Sequence, residues 1–279
     1  IIMYYIYNYM WLLFPFFFMA EIFMSILGNK IGKIVHEENK IKHIEIFQEN
    51  FSGLIHHSIS SCILLYAMYY NTWCLNNDWS MSLSNNQACI FEASQYISIY
   101  DTIVAIEIAH YIYYIIHTCL FKKIKRADQT MLFIHHIITL VLIYNGHIFN
   151  WGVFGTIYVL FTHNLCDIPI HTYLLLKNIK DSGANINNIV FVLSEYVNGI
   201  LLIIMWSYLR LYMYGSLVIY VFYSPDIDMN YIVKICVFIL YIFDIKWFFL
   251  SLSGIYNEII IKNNNSTLYC EDDNVNKIK

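Results

Sequence analysis

Apolar positions in this chain come in long runs rather than in the i, i+3, i+4 stripe of a helix with one wet face. Crossing a hydrocarbon layer of ~30 Å takes about 20 predominantly apolar residues. Seven stretches approach or exceed that length: Ile1–Leu27, Leu54–Leu75, Ile90–Phe121, Met131–Phe149, Trp151–Leu176, Ile189–Tyr214 and Tyr231–Ile261. The first is interrupted by Asn8, Pro15 and Glu21. The third is longer than a bilayer requires, so it is expected to tilt or to protrude. The pattern therefore predicts an all-α protein, a polytopic membrane helix bundle of about seven transmembrane spans. Residues 1–28 read as an N-terminal span and 29–50 as a polar connection. Residues 51–262 read as a six-span domain, and 263–279 as a short polar tail expected to be disordered.

Composition narrows the class. Of 279 residues, 59% are hydrophobic and 13% charged, about half the charge of an ordinary soluble domain, and the mean hydropathy is +0.53. A net charge of −4 gives no electrostatic footprint for a nucleic acid. The basic residues set an orientation. Lys30, Lys33, Lys40 and Lys42 fall in the first connection, and Lys122, Lys123, Lys125 and Arg126 in the third. Lys177 and Lys180 fall in the fifth, and Lys262, Lys277 and Lys279 in the tail. The alternate connections 76–89, 144–150 and 215–230 contain no Lys or Arg. The positive-inside rule then puts the N-terminus in the lumen and the tail in the cytosol. Cys74 and Cys89 flank a lumenal connection and are a candidate disulfide.

Ionisable groups at membrane depth are expensive and mark interior sites. One group joins the fourth and fifth stretches: His135, His136 and Thr139, then His163, Asn164 and Asp167. His163 and Asp167 are four residues apart and share a helix face, so the carboxylate is expected to accept a hydrogen bond from the imidazole. Counted at 1.5 Å per residue, Asp167 lies ~15 Å and His163 ~21 Å in from Lys177, while His135 lies ~6 Å beyond Met131. A base, an orienting carboxylate and partial exclusion of water are the parts of proton transfer. A second stripe, Glu107, His110, Tyr114 and His117, is expected to line the same cavity. His56-His57 reads as an interfacial pair, and Arg210 and Lys246 as snorkelling or paired residues.

With these residues in view, the sequence resembles the TLC-domain family, and within it the ceramide synthases. The motif residues are Arg126-Ala127-Asp128, the pair His135-His136 with Thr139, Asn150, and His163-Asn164-Leu165-Cys166-Asp167. Glu107 and Tyr111 resemble the family's Glu-x-x-x-Tyr on the preceding helix. Asn164 stands where the family has the first Asp of a pair, and His171 where an acidic residue follows the second.

The resemblance implies an enzyme of the endoplasmic reticulum membrane, a sphingosine or sphinganine N-acyltransferase that transfers a fatty acyl group from acyl-CoA to the amine of a sphingoid base. Its implied catalytic residues are His135, His136, His163 and Asp167. Its implied substrate-binding residues are Asn164, Glu107, His110, Tyr111, Arg126 and Asp128. Acyl-CoA enters as co-substrate, and no metal or bound cofactor is expected. The implied partners are the two substrates and membrane lipids, with room for a homo-oligomer. The alternative is a non-catalytic TLC-domain protein that binds lipid or associates with translocation. A diiron desaturase is disfavoured, because the His-x-x-x-His and His-x-x-His-His patterns that would hold two irons do not occur.

Overall fold

The computed structural model describes residues 2–36, 40–70, 97–120, 129–148, 153–183, 189–223 and 231–275. Arg126, Asp128, Asn150, the lysines from 122 to 125, and Cys74 with Cys89 lie outside the described residues. The described chain is all-helical. In order it forms α1 (Ile2–Val35), α2 (Ile41–Tyr70), α3 (Ile97–Leu120), α4 (Gln129–Ile148), α5 (Val153–Asp181), α6 (Ile189–Met205), a π-helical segment (Trp206–Tyr214), α7 (Gly215–Tyr223) and α8 (Tyr231–Val275). The stretch α6–π–α7 runs without a break, so every predicted apolar stretch coincides with one helical rod.

Four helical stretches are long and apolar enough to cross a membrane: Leu13–Val35, Asp101–Leu120, Leu193–Tyr223 and Tyr231–Tyr256. This is the signature of a multi-pass membrane protein. A shorter apolar helix covers Thr130–Asn145. Helices α2 and α5 carry the buried polar residues His56, His57, His163 and Asn164. Beyond its apolar part, α8 continues as helix to Val275, through a segment whose polar composition reads as disordered. A helix already nucleated propagates with one added hydrogen bond per residue.

Packing closes the rods into a ring. In sequence around it, α1 packs on α3, α3 on α4, α4 on α8, α8 on the π segment, the π segment on α5, α5 on α2, and α2 back on α1. Large apolar side chains such as Phe16, Phe23, Ile200, Ile219, Phe238 and Phe249 point outward, as a lipid-facing surface requires. Two apolar cores sit inside. One joins α5, α6, the π segment, α7 and α8 around Cys166, Trp206, Tyr214 and Leu240. The other joins α2, α3, α4 and α5 around Leu64, Val104, Ile143 and Leu160.

Close approach depends on small residues, as is general for helices in membranes. A Cβ on Gly28 would lie 3.0 Å from the Phe51 ring, and one on Gly53 would lie 2.6 Å from the His171 ring. At the ends of α1 and α2 the joint is polar. Asn178 of α5 accepts from His43 Nδ1 at 2.9 Å through its side-chain oxygen, and donates through its side-chain nitrogen to the His43 carbonyl at 2.9 Å. It also donates to His36 Nε2 at 3.4 Å. Burial, and secondarily the neighbouring His43, holds His36 below the usual imidazole range.

Two outcomes are expected at this joint. Replacing Asn178 by Ala strands buried polar atoms on α1 and α2 and should cost about 1–3 kcal/mol, read as a lowered thermal unfolding midpoint in detergent. The sign for His36 follows from its depressed folded-state value: its contribution is intact above the unfolded imidazole pKa and is lost as pH falls through the folded one. Acidification should therefore lower the unfolding midpoint, and His36→Gln should reduce that pH dependence.

Candidate functional site

All seven rods contribute to a cavity of about 170 Å³. Its lining includes Glu21 of α1, His57 of α2, His110 and Tyr111 of α3, His135 and His136 of α4, Asp167 and His171 of α5, Arg210 of the π segment and Trp247 of α8. The polar residues on helices α2 and α5 meet here because those two helices lie against each other along much of their length.

Arg210 forms the charged centre. It donates through Nη1 to Asp244 Oδ1 at 2.9 Å and through Nη2 to Asp167 Oδ1. It lies over the Trp206 ring, 4.6 Å from the centroid, where a desolvated cation gains from the aromatic face. Trp206 Nε1 in turn donates to the Asp244 carbonyl at 3.1 Å. The π-helical turn adds a residue per turn and carries both Trp206 and Arg210 toward α5 and α8. Asp244 Oδ2 lies 3.1 Å from His163 Nε2, and His163 Nδ1 lies 2.8 Å from the Val159 carbonyl. Both ring nitrogens thus face oxygen atoms.

This corrects the expected pairing within α5. His163 and Asp167 do not bind each other; His163 turns to Asp244 on α8, and Asp167 turns to Arg210 and lies 3.8 Å from His57 Nε2. Helical spacing permits an i, i+4 contact but cannot compete with fully buried charges arriving from other helices. His163 is buried and lies behind the cavity wall instead of lining it.

His56 and His57 are likewise not interfacial. They are 3% and 6% exposed and inside the bundle. His57 Nδ1 lies 2.5 Å from Asn164 Oδ1, and Asn164 Nδ2 donates to Glu107 Oε1 at 3.0 Å. Asn164 therefore spends its amide on α2 and α3 and is not among the cavity-lining residues. Glu107 is fully buried beside it. His57 stacks on His171 with centroids 5.1 Å apart, and Asn50 fixes His171 by a 3.0 Å hydrogen bond.

His135 and His136 stand apart from this web. Each lines the cavity, each is buried, and the Nδ1 of each lacks a hydrogen-bond partner. His136 is wedged edge-on against Tyr114 at 4.2 Å between centroids, and His135 against Trp247 at 5.0 Å. Aromatic contacts thus hold both rings while leaving a polar atom of each unspent. His110, Tyr114 and His117 of the predicted α3 stripe line the same space, as does Tyr111, while Glu107 does not.

Sequence reasoning undervalued Arg210 and passed over Asp244, and it took Glu21 only as an interruption. The signal was available: each is an ionisable residue within an apolar stretch. Lys246, by contrast, is exposed and fits the snorkelling reading.

Comparison with known proteins was consistent with this architecture. The family model described as the TLC domain matches residues 46–253. Human "Ceramide synthase 1" is 24% identical over 139 residues, which is 48% of this chain and 39% of that protein. The chain thus matches about two fifths of the relative's length.

Removing the central cation is the sharpest test of this geometry. Arg210→Met leaves Asp167 and Asp244 buried without their partner and should destabilise the protein by about 3–5 kcal/mol, seen as a large fall in the unfolding midpoint in detergent. The double variant with Asp167→Asn and Asp244→Asn should recover much of that loss; if it does not, the pairing is not what stabilises the ring.

Proposed function

The chain belongs to the TLC-domain family, and we propose that within it this protein is a ceramide synthase-like acyltransferase, joining a fatty acyl group from acyl-CoA to the amine of a sphingoid base. The observation that carries the reading is the pair His135 and His136, two buried imidazoles facing one cavity with unspent Nδ1 atoms. A buried imidazole nitrogen without a partner is an unsatisfied polar group, and beside a cavity a bound substrate can satisfy it.

The bond changes are simple. The amine nitrogen attacks the thioester carbonyl, a C–N bond forms and the C–S bond breaks. One imidazole accepts the ammonium-side proton, and the departing thiolate takes up a proton to leave as the CoA thiol. In a two-step variant an imidazole first takes the acyl group and then yields it to the amine. His57 and Asp167, 3.8 Å apart, supply a relay for the proton within the same cavity. His163 and Asp244 act at one remove by fixing Arg210 and Asp167. A cavity of about 170 Å³ has room for the polar heads and reacting atoms, so the two apolar tails would lie along seams between helices and in lipid.

Acyl-CoA is the co-substrate, and the basic connection with Lys122, Lys123, Lys125 and Arg126 is suited to its phosphates. Within this reading the protein crosses the endoplasmic reticulum membrane seven times, N-terminus lumenal and C-terminus cytosolic. The competing reading, a lipid-binding protein without catalysis, is favoured by Asn164, whose amide is committed to His57 and Glu107 and holds no charge.

An N-acylation assay on detergent-purified protein with sphinganine and a series of acyl-CoAs decides between them. Turnover is expected in the native chain, with a fall of about 10²–10⁴-fold in His136→Ala and His135→Ala and a smaller fall in Asp167→Asn. Folded protein that binds the sphingoid base yet forms no amide would establish the lipid-binding reading instead.

A further inference from the structure

A long-chain base reaches a membrane protein near neutral pH as an ammonium, its primary amine titrating like that of lysine at about 10. An ammonium has no lone pair, so one proton leaves before the nitrogen can attack a thioester. A second leaves the nitrogen as the amide forms, and that one returns to the departing thiolate. One proton per turnover therefore passes to a base other than the leaving group. Glu21 of α1 and His110 of α3 are buried, line the cavity and take no part in the acyl transfer described above. We propose that these two residues seat the amino group of the sphingoid base and that His110 takes its ammonium proton. The identity of the lipid as a sphingoid base rests on the acyltransferase reading.

The geometry of the couple is that of a base and its orienting carboxylate. His110 Nδ1 donates to Glu21 Oε1 at 3.2 Å, and Ser52 Oγ of α2 donates to the same oxygen at 2.9 Å. With its proton held on Nδ1, the His110 ring carries its lone pair on Nε2, the tautomer a proton acceptor needs. Glu21 Oε2 lies 3.8 Å from His56 Nδ1, beyond hydrogen-bond distance. Among the described residues no other hydrogen bond reaches either side chain. The couple thus keeps one carboxylate oxygen and one imidazole nitrogen without a protein partner beside the cavity. An ammonium donates to the first and loses its proton to the second, and the imidazolium so formed has the Glu21 carboxylate at its edge to balance its charge.

The surroundings fix the couple and aim it at the acyl-transfer histidines. The His110 ring lies flat on that of His56, with centroids 3.6 Å and planes 9° apart, which restrains its orientation without using Nε2. Tyr111 bridges onward: its ring centroid is 5.4 Å from that of His110 and 5.1 Å from that of His136. A nitrogen seated against His110 is therefore one aromatic ring away from an imidazole of the reacting pair. The lining beside the couple is polar, with Ser25 of α1 and Gln48 and Ser52 of α2, hydroxyl and amide groups that suit the two hydroxyls flanking a sphingoid amine. Around His135 it is aromatic instead, from Phe243 and Trp247 of α8. This asymmetry directs the polar head of the base toward α1 and α2. Glu21 lies outside residues 46–253, so the helix preceding the family-matched region supplies the carboxylate.

Binding to the full chain in detergent is measured for sphinganine and for octadecane-1,3-diol, which keeps the tail and both hydroxyls but lacks the amine. The native chain should prefer sphinganine by about 10–100-fold, the range of a hydrogen bond to a charged group, and His136→Ala should keep that preference. Glu21→Gln should abolish it, and Glu21→Asp should restore part of it. In turnover, Glu21→Gln should raise the KM for sphinganine and leave that for acyl-CoA unchanged, whereas His110→Gln should lower kcat by about 10²–10⁴-fold. Should Glu21→Gln fail to fold, a hydrophobic carbodiimide applied to the native chain with sphinganine should couple the amine to Glu21, located by mass spectrometry. Equal binding of the two lipids, a preference that survives Glu21→Gln in folded protein, coupling at other carboxylates only, or full turnover in folded His110→Gln would each overturn the proposal. A native chain that prefers the amine through Glu21 yet forms no amide would support the seat and refute the acyltransferase reading, so the two failures are distinguishable.

Discussion

A guanidinium held between two carboxylates inside an apolar bundle ties three helices together, because none of the three charges can be left alone where water is scarce. Arg210 reaches Asp167 on α5 and Asp244 on α8 from a π-helical turn, and His163 closes the group by donating to Asp244. Two of the contacts that complete the ring run through these side chains, π segment to α5 and π segment to α8, and the His163–Asp244 pair links α5 to α8 directly. Apolar packing alone would be weakly directional here, since lipid tails offer the same dispersion contacts as neighbouring helices. The charged group supplies the directionality.

The cavity is a consequence of that arrangement. Once α5 is held toward α8, its opposite face carries Asn164 and His171 against α2, and Gly53 allows the two helices to approach until an added methyl would strike the His171 ring. The polar side chains between α2, α3 and α5 then satisfy one another, from His57 through Asn164 to Glu107. His135 and His136 are held by aromatic rings instead, which restrain orientation without consuming donors or acceptors. A reactive imidazole needs that combination of fixed position and unspent nitrogen. Helix α1 completes the wall and brings Glu21, a carboxylate with no guanidinium or ammonium beside it among the described residues.

The helices were legible because apolar length is a local property. Each of the seven apolar stretches coincides with a rod, and the TLC-domain resemblance, resting on the double histidine and the His163–Asp167 segment, agrees with the family match over residues 46–253. The number of spans is less directly written: four helical stretches among the described residues are long and apolar enough to cross a membrane. His110, Tyr111, His135 and His136 were recognisable as cavity residues because they are polar groups on otherwise apolar helices. His56-His57 were misjudged because their position near a predicted boundary suggested an inexpensive wet environment, while helix α2 extends back to Ile41 and keeps both inside.

What the sequence by itself determined is therefore the class of the protein, its helical rods and the chemical inventory of its interior, since the cost of burying an unpaired backbone or a charge applies residue by residue. Partners belong to the tertiary structure. His163 had a carboxylate one helical turn away and another 81 residues distant, and it took the distant one. Asp167 found Arg210 and His57, and Glu21 met His56 and His110 across three helices. Which pairing wins depends on how deeply each group is buried and from which side the neighbouring helices arrive, and neither quantity exists until the ring has closed.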